Sequence, residues 1–358
     1  MERVVEELLT SDEPSVRWIV RTRVLGEPDG DQLRAEIRDS PRVRELLAAR
    51  GPDGRIHDPK QPYSKWRGAH WVLLALAELG HPPGDEGLLP LRDQVLDRWL
   101  TPAVFRDVDK PTGKGILVVA GKHRRCASQQ GAALLAVTRL GLLDERAGTL
   151  AERLRHWQWP DGGWNCDKRP EARMSSVAET LLPLRGLAAY ADATGDAAAR
   201  TAARTAARTA ARTAARAAAE VLLDRRVGWR RSTGTPLSPR TTRLRYPLYW
   251  NYDVLGGLRG LAEAGLLGDE RCADALDFLA AKRLPDGGWA ADGRYWEPAD
   301  STRSLRDRVD WGPVRAGVRN DWVTAHALAV LTAAGRSSPA APPPTEQPRR
   351  RLSSPAAD

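Results

Sequence analysis

Six apolar stretches with helical period run along this chain, and each ends in glycine. They are VRWIVRTRVLG to Gly26, WVLLALAELG to Gly80, ALLAVTRLG to Gly141, PLRGLAAYADATG to Gly195, GLRGLAEAG to Gly265 and ALAVLTAAG to Gly335. Glycine just past a helix takes the left-handed cap conformation without steric cost. After most of these glycines a short connector rich in Asp, Gly or Pro leads into a second, more polar helix: DGDQLRAEIRD, GDEGLLPLRDQVLDRWL, LLDERAGTLAERLRHW and GDERCADALDFLAAK. Asp there is a good N-cap. The repeating unit is therefore an outer helix, a long loop, an inner helix and a tight turn, and such recurrence marks a repeat architecture. Sustained period-two alternation is missing, so the pattern predicts an all-α chain without a sheet.

Two segments depart from the pattern. Residues 199–216 read ARTAARTAARTAARTAAR, strong helix formers with Arg at every fourth position, which predicts a solvated helix bearing a basic stripe. Residues 336–358 are Pro, Ser, Ala and Arg without period, expected to be a disordered tail beyond a single domain at 1–335.

The loops carry repeated punctuation. HWQWPDGGWNCD (156–167) and AKRLPDGGWAAD (281–292) share Pro-Asp-Gly-Gly-Trp, and AARGPDGRIHD (48–58) keeps Pro-Asp-Gly with Arg55 in place of the second glycine. Proline presets one dihedral and glycine takes positive φ, so each is a turn after which Trp can fold back on the helix end. Gln158, Gly162 or Gly163, and Trp164 resemble the QW repeat of squalene and oxidosqualene cyclases. There, Gln, Gly and Trp tie an outer helix to the next inner one. In the second copy Arg283 stands where that Gln belongs. With six helix pairs, the chain resembles the terpenoid-cyclase and protein-prenyltransferase superfamily over roughly residues 14–335. The resemblance implies an (α/α)6 toroid of six inner and six outer helices.

Composition adds constraints. The 358 residues are 42% hydrophobic and 28% charged, with 13 Trp against 6 Tyr and 2 Phe, which points to repeated structural use of Trp or an aromatic-lined cavity. Three cysteines, Cys126, Cys166 and Cys272, make no disulfide framework, and without a signal peptide they point to a reducing cytoplasm. No apolar run approaches the roughly 20 residues that span a bilayer. The formal charge of +9 raises an anionic partner. Yet much of the excess sits in the 199–216 repeat and in Arg349, Arg350 and Arg351, so no specific nucleic acid is expected.

In a toroid the outer-to-inner loops gather at one mouth above the first turns of the inner helices, which here are polar and aromatic. Candidate binding residues are Tyr63, Lys65, Trp66, Arg67 and His70; His123, Arg124, Arg125, Gln129 and Gln130; Tyr246, Tyr249, Trp250 and Tyr252; and Trp322. Candidate carboxylates are Glu179, Asp253 and Asp321. A central cavity is the default binding site, and His326, a turn deeper, reads as a satisfied core histidine.

For chemistry, the resemblance implies an isoprenoid or other apolar substrate, whose carbocation aromatic faces stabilise. The catalytic signature departs from the family. The DxDD acid of squalene-hopene cyclases is not matched by Asp107-Val108-Asp109-Lys110 before Pro111, and SSVAET (175–180) lacks the Asp of the DCTAE motif. Protein prenyltransferases bind zinc through Asp, Cys and His near inner-helix starts, and by that comparison Cys126, Cys166 and Asp167 are the corresponding ligands. Three functions follow: an isoprenoid cyclase or prenyltransferase, a non-catalytic toroid binding a ligand or partner protein, or a carbohydrate-active (α/α)6 enzyme using Glu179 with Asp253 or Asp321.

Overall fold

The computed structural model describes residues 2–57, 63–108, 115–193 and 202–336. The tail beyond residue 336, Gly195, residues 199–201 and the Asp109-Lys110-Pro111 stretch lie outside them. Among the described residues the chain is mostly helical, with fourteen α-helices.

The glycine-ended apolar stretches form one set. They are α2 (Pro14–Ile19, continued by a π-helical turn Val20–Val24), α5 (Ala69–Leu79), α8 (Ala127–Arg139), α10 (Val177–Asp192), α12 (Val254–Glu263) and α14 (Asp321–Ala333). The second set is α1 (Glu2–Leu9), α3 and α4 (Asp31–Arg38, Pro41–Leu47), α6 (Leu89–Trp99), α9 (Glu145–His156), α11 (Ala202–Leu223) and α13 (Ala273–Ala281). A short α7 (Pro102–Phe105) follows α6. Gly26, Gly80, Gly141, Gly265 and Gly335 all take φ between 65° and 81°, the left-handed caps that the pattern requires.

The apolar helices contact one another in order: α5 on α8, α8 on α10, α10 on α12, α12 on α14, and α14 on α2 and its π turn. Between α2 and α5, the Trp18 ring lies under Gly80, where a Cβ would approach it to 2.6 Å. The α8–α10 crossing is tight. A Cβ on Gly131 would lie 2.3 Å from the Pro183 nitrogen, and one on Gly186 would lie 2.5 Å from the Gly131 carbonyl. Small residues at these two positions let the backbones touch.

Where these helices face one another, the interior is charged. Glu78 of α5 pairs with Arg185 of α10 at 2.6 Å, with Arg139 of α8 at 3.1 Å and with Arg259 of α12; Glu263 of α12 pairs with Arg185 and Arg139, each at 2.7 Å. Arg23 and His326 face the same group. Burial pushes Arg23 down to about 10 and holds His326 well below the usual histidine range. Beside the ion group, Leu74, Leu182, Tyr246, Tyr249 and Trp311 enclose a cavity of only about 30 Å³. A cavity that size has room for no more than a few water-sized spheres.

One expectation is corrected. A three-stranded sheet is present, with β1 (Asp107–Val108) parallel to β2 (Ile116–Val119) and β2 antiparallel to β3 (Lys122–Arg124). Its strands are two to four residues long, too short to show alternation. Ala120 and Gly121, both at positive φ, turn the hairpin. Within the Ala-Arg-Thr repeat, Ala211, Ala214 and Ala215 of α11 are buried, while Arg212 faces outward and pairs with Asp192 at 2.6 Å.

Candidate functional site

The Pro-Asp-Gly turns set the geometry above the apolar helices. In each copy a backbone N–H donates across the turn: Trp159 to Gly163, Leu284 to Gly288 and Gly51 to Arg55, all at 2.8 Å. The Trp then folds back, Trp164 Nε1 donating to the Leu154 carbonyl (2.9 Å) and Trp289 Nε1 to Leu279 (2.7 Å). Both indoles are fully buried. Their backbone N–H groups donate to Thr180 and Thr324, the fourth residues of α10 and α14. Gln158 Nε2 donates to Gly162 at 2.6 Å and to Ala214 of α11 at 2.9 Å. Arg283 takes its place in the second copy, donating to Gly287 at 2.9 Å with its guanidinium 5.2 Å from the Trp289 ring centre. The tie left open by the missing glutamine is therefore made by arginine.

The Trp164 turn leads to the start of α10 and β3 to the start of α8, where Cys126, Cys166 and Glu179 converge. One sulfur from each cysteine and one carboxylate oxygen lie within 4.8 Å of one another. Cys126 precedes α8, Cys166 follows the Trp164 turn, and Glu179 is in the first turn of α10. Glu179 is held firmly: Oε2 accepts the Ser128 N–H at 3.1 Å and its hydroxyl at 2.9 Å, which leaves Oε1 facing Cys166 Sγ at 3.2 Å. Burial raises the Glu179 carboxyl above its ordinary value. The two thiols also contact each other; that contact lowers Cys126, whereas the same contact and burial raise Cys166. Both cysteines remain partly exposed.

Asp167 does not join them. Arg169 binds its carboxylate at 2.6 Å and holds it down at about 2, and Glu179 takes the position expected of Asp167. Arg125, which precedes Cys126 between β3 and α8, is brought beside the centre. It donates to Gln130 at 3.0 Å and lies over Trp157 at 5.5 Å, and burial lowers it to about 10. Tyr63 faces the centre from another loop and bonds Gln129, with its phenol raised by burial.

The other candidates fall elsewhere. Asp253 is fully buried as the N-cap of α12, its oxygens accepting from Gly256 (2.8 Å) and Arg245 (3.0 Å) N–H groups, and burial raises it to about 7. Asp321 pairs with Arg319 at 3.0 Å. The three carboxylates thus serve separate neighbours. Arg124 lies under Trp159 and donates to Ala172 at 2.6 Å. His70 Nδ1 accepts the Trp99 indole at 3.1 Å, and burial lowers the ring to about 3. Trp66 stacks on Tyr249 at 3.8 Å, with Arg67 next to it in sequence; Lys65 lies over Trp250 at 5.0 Å. Trp322 stacks on Tyr246 at 5.0 Å. The aromatic residues therefore mostly meet each other. Sequence reasoning passed over Glu78, Arg139, Arg185, Arg259 and Glu263, although isolated charges inside apolar runs such as WVLLALAELG and GLRGLAEAG were the visible signal.

No family model matches the chain, and no curated protein matches it either. Among solved structures, a protein from Actinoplanes matches at 16% identity and a TM-score of 0.40, over 94% of this chain and 98% of that one. A type II terpene cyclase, MstE, from Scytonema, in complex with geranylgeranyl dihydroxybenzoate, matches at 15% identity and a TM-score of 0.29, over 91% and 99%. Its apo structure matches at 17% identity and 0.29, over 87% and 100%. The chain is thus weakly similar to type II terpene cyclases. No helix among the described residues is long and apolar enough to cross a membrane.

Proposed function

We propose that this chain is an (α/α)6 toroid with a filled centre, working through a zinc-type site at its mouth made by Cys126, Cys166 and Glu179. The observation that carries this reading is the convergence of two thiols and one carboxylate from three separate segments within 4.8 Å. Ligands around tetrahedral zinc sit roughly 3.3 to 3.8 Å apart, so only a small inward movement separates these atoms from coordination. The bonds from Ser128 to Glu179 Oε2 orient Oε1 toward the sulfurs, the support that outer hydrogen bonds give a metal ligand. Two sulfurs and one oxygen favour zinc over harder cations.

Three protein ligands leave one position of a four-coordinate ion free, the arrangement of sites that act on a ligand rather than staple a fold. When bound, the ion supplies Lewis acidity. The chain's own part is to hold Arg125, whose positive charge suits an anionic or carbonyl-bearing ligand, and to place Tyr63 on the facing side. The substrate class is accordingly a small polar or anionic molecule entering at the mouth.

A second reading keeps the isoprenoid ligand inside the ring. The aromatic lining by Tyr246, Tyr249 and Trp311 favours it, and the volume of about 30 Å³ opposes it, because ligand pockets usually run to roughly 300 Å³ or more. That ligand requires the stacked pairs Trp66–Tyr249 and Tyr246–Trp322 to part.

Metal analysis of the purified chain separates the two readings. Zinc whose affinity falls at least tenfold in Glu179→Gln supports the mouth site. A chain whose zinc binding is unchanged in Glu179→Gln, and that retains a polyprene through purification, supports the second reading and overturns the first.

A further inference from the structure

The turn that positions Cys166 also carries residues it does not need. His156, Trp157 and Trp159 have no counterparts in the second Pro-Asp-Gly-Gly-Trp copy, where Ala281, Lys282 and Leu284 occupy those places. That copy nonetheless closes with the same backbone bond and buries its tryptophan as deeply. All three extra residues reach toward the small sheet. His156 Nε2 lies 2.8 Å from Asp107 Oδ2, Trp157 Nε1 donates to Asp107 Oδ1 at 3.3 Å, and Trp159 Nε1 donates to the His123 carbonyl at 2.8 Å. On the sheet, His123 Nε2 lies 3.2 Å from the same Asp107 Oδ2.

We infer that Asp107, His123 and His156 form a second metal site, for a borderline divalent transition ion such as zinc, separate from the cysteine centre. Two imidazole nitrogens and one carboxylate oxygen, all within 4.8 Å of one another, are a donor set that such ions accept. The spacings of 2.8 and 3.2 Å are somewhat shorter than the roughly 3.3 Å between nitrogen and oxygen ligands on one zinc ion, so the groups need part only slightly to admit it. Trp157 holds the second carboxylate oxygen, so Oδ2 is turned toward the imidazoles. The three ligands come from β1, β3 and the end of α9, and a shared ion would pin the sheet to the turn. His156 also lines an open groove of about 630 Å³ between α9 and α11. This inference does not depend on the function proposed for the cysteine centre.

Titration of the full metal-free chain with zinc and with cobalt tests it. In a Cys126→Ser/Cys166→Ser background one equivalent should still bind and raise the melting temperature, and adding His123→Gln and His156→Gln should abolish both effects. Where the serine background does not fold, the His123→Gln/His156→Gln variant of the native chain serves instead: it should bind one equivalent fewer than the native chain. Unchanged stoichiometry and affinity in the histidine variant would overturn the site, whatever happens at the cysteines.

Discussion

Glu78 and Arg185 are 107 residues apart in sequence, yet their side chains meet at 2.6 Å between α5 and α10. That pair anchors a group in which two glutamates serve arginines of three helices, and it occupies space that an enclosed ligand would need. Removing one member of a buried ion group leaves its partners charged and unpaired.

Glu78→Gln is therefore expected to destabilise the fold by about 3 to 5 kcal/mol. Chemical denaturation monitored by tryptophan fluorescence measures this, and a loss below about 1 kcal/mol would mean that water already solvates the group.

At the turns, Gln158→Ala removes bonds to both Gly162 and Ala214 and should cost about 1 to 2 kcal/mol. Arg283→Gln, which restores the residue type found at position 158, should stay within about 1 kcal/mol of the native chain. Thermal denaturation of both variants checks the equivalence. If Arg283→Gln proves the more damaging, the arginine is not replacing glutamine.

The crossing of α8 and α10 predicts an effect opposite to helix propensity. Gly131→Ala should destabilise by about 1 to 3 kcal/mol, because the new methyl meets the Pro183 backbone. Gly268→Ala, with open space around it, should not. Equal melting temperatures for the two variants would place the helices further apart than described.

Asp253 makes stability depend on pH in a known direction. Burial raises its carboxyl from 3.8 to about 7 in the folded chain, so its contribution is full below pH 3.8 and is lost as pH rises toward 7. Asparagine keeps the cap without titrating. Relative to Asp253→Asn, the native chain should lose a few kcal/mol of stability between pH 4.5 and pH 7.5, and a constant difference across that window would contradict the assignment.

Much of this was legible in the chain. Glycine after each apolar stretch marked the inner-type helices because only glycine takes the left-handed cap freely, and Pro-Asp-Gly-Gly-Trp marked the turns because each residue has a defined conformational use. Cys126 and Cys166 were legible as a pair. Glu179 as their partner was not, since a residue in the first turn of one helix and a loop cysteine meet only once the helices are docked. The sheet escaped notice because strands of two to four residues carry no period. Asp107 and His156 were equally hidden, their proximity being set by the hairpin at Ala120–Gly121 and the packing of the two turn tryptophans.

The claim on which the functional reading rests is that Cys126 and Cys166 hold one metal ion together, and the absorption spectrum of the cobalt-loaded chain tests it most directly. An ion shared by both cysteines gives an intense near-ultraviolet band from thiolate-to-cobalt charge transfer, lost in Cys126→Ser/Cys166→Ser and retained in Asp167→Asn. A cobalt-saturated native chain without that band, or one that keeps it in the double variant, would contradict that claim.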